Sequence, residues 1–159
     1  MNSLFTTQRS FFVLIIVSFT LGTGYTTFSL REMNIDARGF VNITMLGLLA
    51  DWDDNDFLRY TSNDLRKNLK DEQLQKMNVV FTRLGDLLNY HGAYGGLFRS
   101  SNNWWYINPR YKVHGSFQGG YFVATITLIK QEGKWVIGRI RYKYRFFLND
   151  RNSGSLKLV

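Results

Sequence analysis

Between Tyr121 and Phe147 the chain reads YFVATITLIKQEGKWVIGRIRYKYRFF, and this stretch constrains the fold more than any other. Two runs rich in β-branched and aromatic residues flank Gln131-Glu132-Gly133, a turn signal that pairs them as adjacent antiparallel strands. In the second run Arg139, Arg141, Lys143 and Arg145 alternate with Ile140, Tyr142, Tyr144 and Phe146. A period of two sends successive side chains to opposite faces of a sheet. One face therefore has rings and aliphatics to bury, and the other carries four cations in a row.

The charge along the chain follows the same division. Residues 32–86 hold ten acids and seven bases, whereas residues 87–145 hold nine bases and the single acid Glu132. The surplus behind the net charge of +8 thus lies in the part read as sheet. Asymmetry of this kind reports a partner or surface of opposite sign. The chain contains no Cys, which excludes disulfides, thiolate metal sites and thiol nucleophiles.

Upstream, residues 1–10 are read as a cytoplasmic N-terminus with Arg9 as its only charge. Phe11 to Leu30 runs twenty residues without a charge. At ~1.5 Å per residue that length spans a hydrocarbon core of roughly 30 Å. The favoured reading is a transmembrane signal anchor; the competing ones are a signal peptide cut near Gly22–Thr26 and a buried core segment. Arg9 ahead of the segment favours an inner-membrane, single-pass protein whose C-terminal domain is periplasmic or otherwise extracytoplasmic. Residues 31–36 are read as a polar linker, 37–147 as the folded domain, and 148–159 as a polar tail.

Within the domain, Val41, Met45, Leu48 and Trp52 share one face of a helix from about Ala37 to Trp52. An acidic run, Asp51 to Asp56, ends it, and shorter helical pieces follow through Tyr60 and from Leu65 to Leu69. A longer helix opens at Asp71-Glu72 and repeats Leu74, Met77, Phe81, Leu84 and Leu88 at spacings of three and four. After Leu88 the period changes to two. Strands are expected over Tyr90–Phe98 and Tyr111–Phe117, with Trp104–Ile107 as a strand or its approach and Pro109 as a break. A Gly119-Gly120 turn leads into the hairpin. About three helices followed by a curved antiparallel sheet of about four strands is an α+β arrangement.

The order of these elements resembles the nuclear-transport-factor-like (cystatin-like) α+β roll. So do the turn ADWDDNDF, the segment LRKNL, the helix LQKMNVVFTRLGDLL and the closing YFVATITLIKQEGKWVIGRIRY. The resemblance covers roughly Ala37 to Tyr144 and is closest to small exported and membrane-anchored bacterial members. An anchor ahead of such a domain is also similar to the inner-membrane assembly subunits of type IV secretion systems. The resemblance implies a shape and leaves the activity open.

Rolls similar to ketosteroid isomerase carry a carboxylate base and an acidic hydrogen-bond donor in a pocket between sheet and helices. Here the predicted sheet contains only Glu132, in an exposed turn, so no strand carboxylate is present to act as base. His91 and His114, with Tyr94, are placed near the mouth of such a pocket. They lack the third convergent ligand that a metal site needs, and no cofactor or metal is implied. Asp51, Asp53, Asp54 and Asp56 lack the glycine and glutamate of a calcium loop. Asn42-Ile43-Thr44 matches a glycosylation pattern but falls inside a predicted helix. Trp104, Trp105 and Tyr106 are read either as sheet core or as the crown of an exposed loop suited to a protein partner or a membrane interface.

The sequence thus points to a non-catalytic, membrane-anchored accessory subunit of a cell-envelope complex. Its partner-binding residues are Arg139, Arg141, Lys143, Arg145, Trp104, Trp105 and Tyr106. An acidic protein partner is expected, with anionic lipid as a second candidate. Nucleic acid is disfavoured, because the tyrosines of the last strand alternate away from the cations and an extracytoplasmic location removes the usual substrate. The competing reading is a ligand-binding or enzymatic roll with a pocket at His91, Tyr94 and His114.

Overall fold

The computed structural model describes residues 30–99, 107–147 and 154–158. The chain divides into two units, Met1–Ile35 and Asp36–Val159. The anchor expected over residues 11–30 and the aromatic loop Trp104–Tyr106 lie outside the described residues, Leu30 excepted. Among the described residues no helix is long and apolar enough to cross a membrane.

The described residues form four helices: α1 (residues 30–50), α2 (Asp54–Tyr60), α3 (Asn63–Asn68) and α4 (Asp71–Leu84). Five strands follow: β1 (Leu87–Arg99), β2 (Ile107–Phe117), β3 (Gly120–Gln131), β4 (Lys134–Phe146) and β5 (Gly154–Leu158). They build one sheet in sequential order with every neighbouring pair antiparallel. The class is α+β, with all helices preceding a meander.

Each helix boundary has a local cause. The segment 31–36, expected as a linker, is helical, since no Gly or Pro interrupts the chain from Leu30 to Arg38. The acidic run ends α1, as expected, and also caps α2. The Asp53 side chain accepts from the Asp56 N–H at 2.9 Å, and the Trp52 indole donates to Asp54 at 2.8 Å. Ser62 caps α3 by accepting from the Leu65 N–H. At α4 the Gln73 carboxamide accepts from the Lys70 N–H. That helix stops at Gly85, whose φ of 71° a side chain would resist. Leu88, expected on the buried face of α4, is instead 66% exposed on β1.

The core lies between α1, α4 and one face of the sheet. Trp52 stacks on Phe81 with centroids 4.6 Å apart, and Phe81 meets Phe122 at 5.0 Å and Phe117 at 6.0 Å. Phe122 stacks in turn on Tyr142 at 5.5 Å. Met45, Met77, Leu84, Ile126 and Ile140 close around these rings.

At the sheet edge, α1 covers β1. Arg38 donates to the Gly95 carbonyl at 2.9 Å, while the Asn42 Oδ1 accepts from the Ala93 N–H at 2.8 Å and the Tyr90 hydroxyl at 3.1 Å. Two of these bonds occupy main-chain groups of an edge strand that has no second neighbour among the described residues. At the centre, Glu132 and Gly133 turn the hairpin with φ values of 53° and 78°, the primed geometry that matches strand twist. Pro109, expected as a break, sits within β2 opposite Leu97. The β2–β3 pairing begins only at Arg110, so this proline serves one neighbouring strand. Where a frayed tail was expected, residues 154–158 pair with the outer edge of β4.

Candidate functional site

The face of the sheet turned away from the helices is built by strand alternation. On β4, Arg139, Arg141, Lys143 and Arg145 are exposed, while Ile140, Tyr142 and Phe146 are buried. A register shift at Gly138, between the pairs Thr127–Arg139 and Leu128–Ile137, sets this phase. On β2, Tyr111, Val113, Gly115 and Phe117 are buried, which turns Arg110, Lys112, His114 and Ser116 outward. The sequence reading missed Arg110 and Lys112. Their period-two signal was present, but Pro109 masked where the strand begins.

Cross-strand register aligns these residues in rows. Lys112 lies opposite Thr125, which lies opposite Arg141; Arg110, Thr127 and Arg139 form the next row. His114, Val123 and Lys143 make another, and Ser116, Tyr121 and Arg145 the last. Two cationic rails, on β2 and β4, therefore run about 10 Å apart, since neighbouring strands are spaced ~4.8 Å. Between them Val123, Thr125, Thr127 and Ile129 of β3 form a neutral, half-buried floor. No Asp or Glu occurs in any of the five strands. Among the described residues, Arg139, Arg141 and Lys143 have no carboxylate within ion-pair distance; the ion pairs there, Asp56–Arg59 and Glu72–Lys76, are within helices.

Exposed rings stand on this same face. Tyr94 on β1 contacts His114 edge-on at 6.1 Å, and Arg110 lies over the Phe98 ring at 5.7 Å. Tyr121 on β3 meets Phe147 edge-on at 4.8 Å. Tyr94, Phe98, Tyr121 and Phe147 are each about half exposed. The tyrosines of β4 do turn inward, and burial pushes Tyr142 up to about 12. Rings from β1 and β3, however, share the face with the cations.

The sequence placed His91, Tyr94 and His114 at the mouth of an interior pocket. The structure brings them together, but on the open face. His91 Nε2 and Ser116 Oγ are 3.1 Å apart. Burial, then Lys112 and His91, hold His114 below the usual imidazole range. A His–Ser contact without a carboxylate to orient the ring lacks the third group of a hydrolytic triad. The space between sheet and helices is filled by Trp52, Phe81, Phe117 and Phe122. Among the described residues no buried side-chain polar atom lacks a hydrogen-bond partner, and no group of three or more His, Asp or Glu could hold a metal. A surface hollow on α4, lined by Gln75, Asn78, Val79, Thr82 and Arg83, has no acid–base pair.

The Asn42-Ile43-Thr44 pattern also acquires a place. Asn42 is held on β1 by its two bonds, and Thr44 is 4% exposed, so both polar members of the motif serve packing. In comparisons with known proteins, no family model, no curated protein and no solved structure matches this chain.

Proposed function

We propose that this protein is a non-catalytic interaction module that takes an acidic partner on the open face of its sheet. Residues 11–30 tether it as a single membrane span, with the sheet domain on the extracytoplasmic side, as an accessory subunit of a cell-envelope assembly. The order of elements, helices then an antiparallel meander, supports reading the domain as a nuclear-transport-factor-like roll. One observation carries the binding reading: exposed cations from β2 and β4 flank a neutral strand on a face to which no strand contributes an acid. The ring-filled interior argues against a small-ligand or enzymatic pocket.

The test is retention of the full chain, in mild detergent, on heparin resin across a salt gradient. Replacing Arg139, Arg141 and Lys143 together by Gln shifts elution to markedly lower salt, because each lost contact removes counterion release. A control triple replacement of Lys67, Lys70 and Lys76 on the helices leaves elution within a small margin of the parent. Equal shifts in the two variants would show that net charge alone, and not the sheet face, sets binding. Membrane association of residues 11–30 is read separately: the full chain remains in the pellet after alkaline extraction, and a chain lacking them does not.

A further inference from the structure

Resting on the reading of the open face as a polyanion site, and independent of the side of the membrane on which that face lies, we propose that its occupant is a single-stranded nucleic acid. The track runs between the cations of β2 and β4; Tyr121, at one end of its floor, and Tyr94, one strand outside the β2 rail, take bases.

Three features of the face select this class over other acidic partners. The first is its width. Rails about 10 Å apart over a floor of Val123, Thr125, Thr127 and Ile129 fit one extended chain between them, since that spacing is two strand separations. A bilayer asks instead for cations and rings at one level across a broad surface. The second is the position of the rings. Tyr94 shares a row with Lys112, Thr125 and Arg141; Tyr121 shares one with Ser116 and Arg145. Four residues and two strands separate those ring positions, roughly 16 Å, a span that leaves room for nucleotides between the two stacked bases. The third is the chemistry of the rings. An aromatic face is electronegative and gains nothing from a carboxylate, so exposed rings beside cations add little toward a glutamate-rich segment. A nucleobase stacks on Tyr94 or Tyr121 whatever its identity, while phosphates meet Lys112, Arg139, Arg141 and Lys143. Within a duplex the bases stay stacked on one another and cannot reach either ring.

The experiment is fluorescence anisotropy of a labelled thymidine dodecamer titrated with the full chain in mild detergent. Parallel arms use the same oligomer annealed to its complement, a glutamate dodecapeptide, and phosphatidylglycerol-containing vesicles. The single strand binds about 10-fold or more tighter than the peptide or the duplex, from the added stacking. Replacing Tyr94 or Tyr121 by Ala weakens single-strand binding about 5- to 100-fold, whereas Phe at either position retains it. Replacing Arg141 by Gln lowers the slope of log K against log salt by about 0.7, one phosphate contact on a single strand. Both tyrosines are about half exposed, so these variants keep the parent's circular dichroism and melting. If the peptide, duplex or vesicles bind as tightly as the single strand, or ring removal changes nothing, the occupant is not single-stranded nucleic acid and the broader acidic-partner reading stands. If none of the probes binds, both fall.

Discussion

Replacing Asn42 by Ala removes an acceptor that ties α1 to the edge of the sheet. Its Oδ1 accepts from the Ala93 N–H at 2.8 Å and from the Tyr90 hydroxyl at 3.1 Å. Ala93 is 9% exposed, so its N–H loses a partner where water has little access. An orphaned buried donor of that kind costs about 1–3 kcal/mol. Tyr90 is half-buried and its hydroxyl can turn to solvent, so its bond is worth the lower figure, ~0.5–1 kcal/mol. Ala is the better helix former by roughly 0.6 kcal/mol, which offsets part of the loss. The net is about 1–3.5 kcal/mol, or a fall in Tm of about 4–14 °C for a domain of this size. Thermal denaturation followed by circular dichroism reads it. Tyr90→Phe, which deletes only the weaker bond, lowers stability by about 0.5–1 kcal/mol, and the double variant loses less than the sum. Ile43→Ala, one residue along and 78% exposed, is the control and stays within about 0.5 kcal/mol. An Asn42→Ala protein that melts with the parent would refute the view that this carboxamide fastens α1 to β1.

Glu132→Asn stabilises the fold by about 0.5–1 kcal/mol, because Asn adopts the positive φ of this turn position at lower cost; a urea midpoint unchanged or lowered would contradict it. Phe81→Ala costs about 3–5 kcal/mol, since the ring touches Trp52, Phe117 and Phe122 at once; chemical denaturation yielding under ~1.5 kcal/mol would mean the core collapses around the gap. His114 is held below its usual pKa by burial, Lys112 and His91, so between that lowered value and about 6.5 the unfolded chain takes up a proton that the folded chain resists. Stability is therefore highest above about pH 6.5 and falls as the pH drops through that window; His114→Gln flattens the fall, and an equally steep profile in the variant would remove His114 as its source.

The parts of the fold that sequence reading reached are those where one local signal acts alone. The period-two run over residues 134–146 and the Glu132-Gly133 turn fix β3 and β4 together, and the cap at Ser62 marks α3. Misreadings occur where two signals compete. Leu88 continues the spacing of Leu84 by four, yet Gly85 has already ended the helix, so the residue falls on a strand and faces solvent. Pro109 reads as a break until the register shows that only β1 flanks it. The β5 segment has no strong propensity of its own; it is held by the unpaired edge of β4, a partner invisible to local pattern. His91 and His114 were expected near a pocket mouth and stand on the open face; for His91 the phase of β1 depends on a register shift between Tyr90 and Ala93. A one-residue slip of that kind exchanges the two faces.

The arrangement of helices before strands explains why the charge can sit where it does. With α1 and α4 packed on one face, every apolar demand of folding is met there, and the opposite face is left free in composition. A soluble sheet face would serve as well with mixed charges, and cross-strand pairs of opposite sign would add stability. Instead neighbouring cations on β4 stand two residues, about 7 Å, apart, where like charges repel by about 0.6 kcal/mol in water and roughly half that at physiological salt. Arg139, Arg141 and Lys143 carry this cost without a carboxylate in reach among the described residues, where most of the acids stand on the helices and their caps. A segregation that folding neither requires nor rewards is offset only when an anion occupies the face. On the proposed reading, an acidic partner bound to this face relieves the repulsion among the rails.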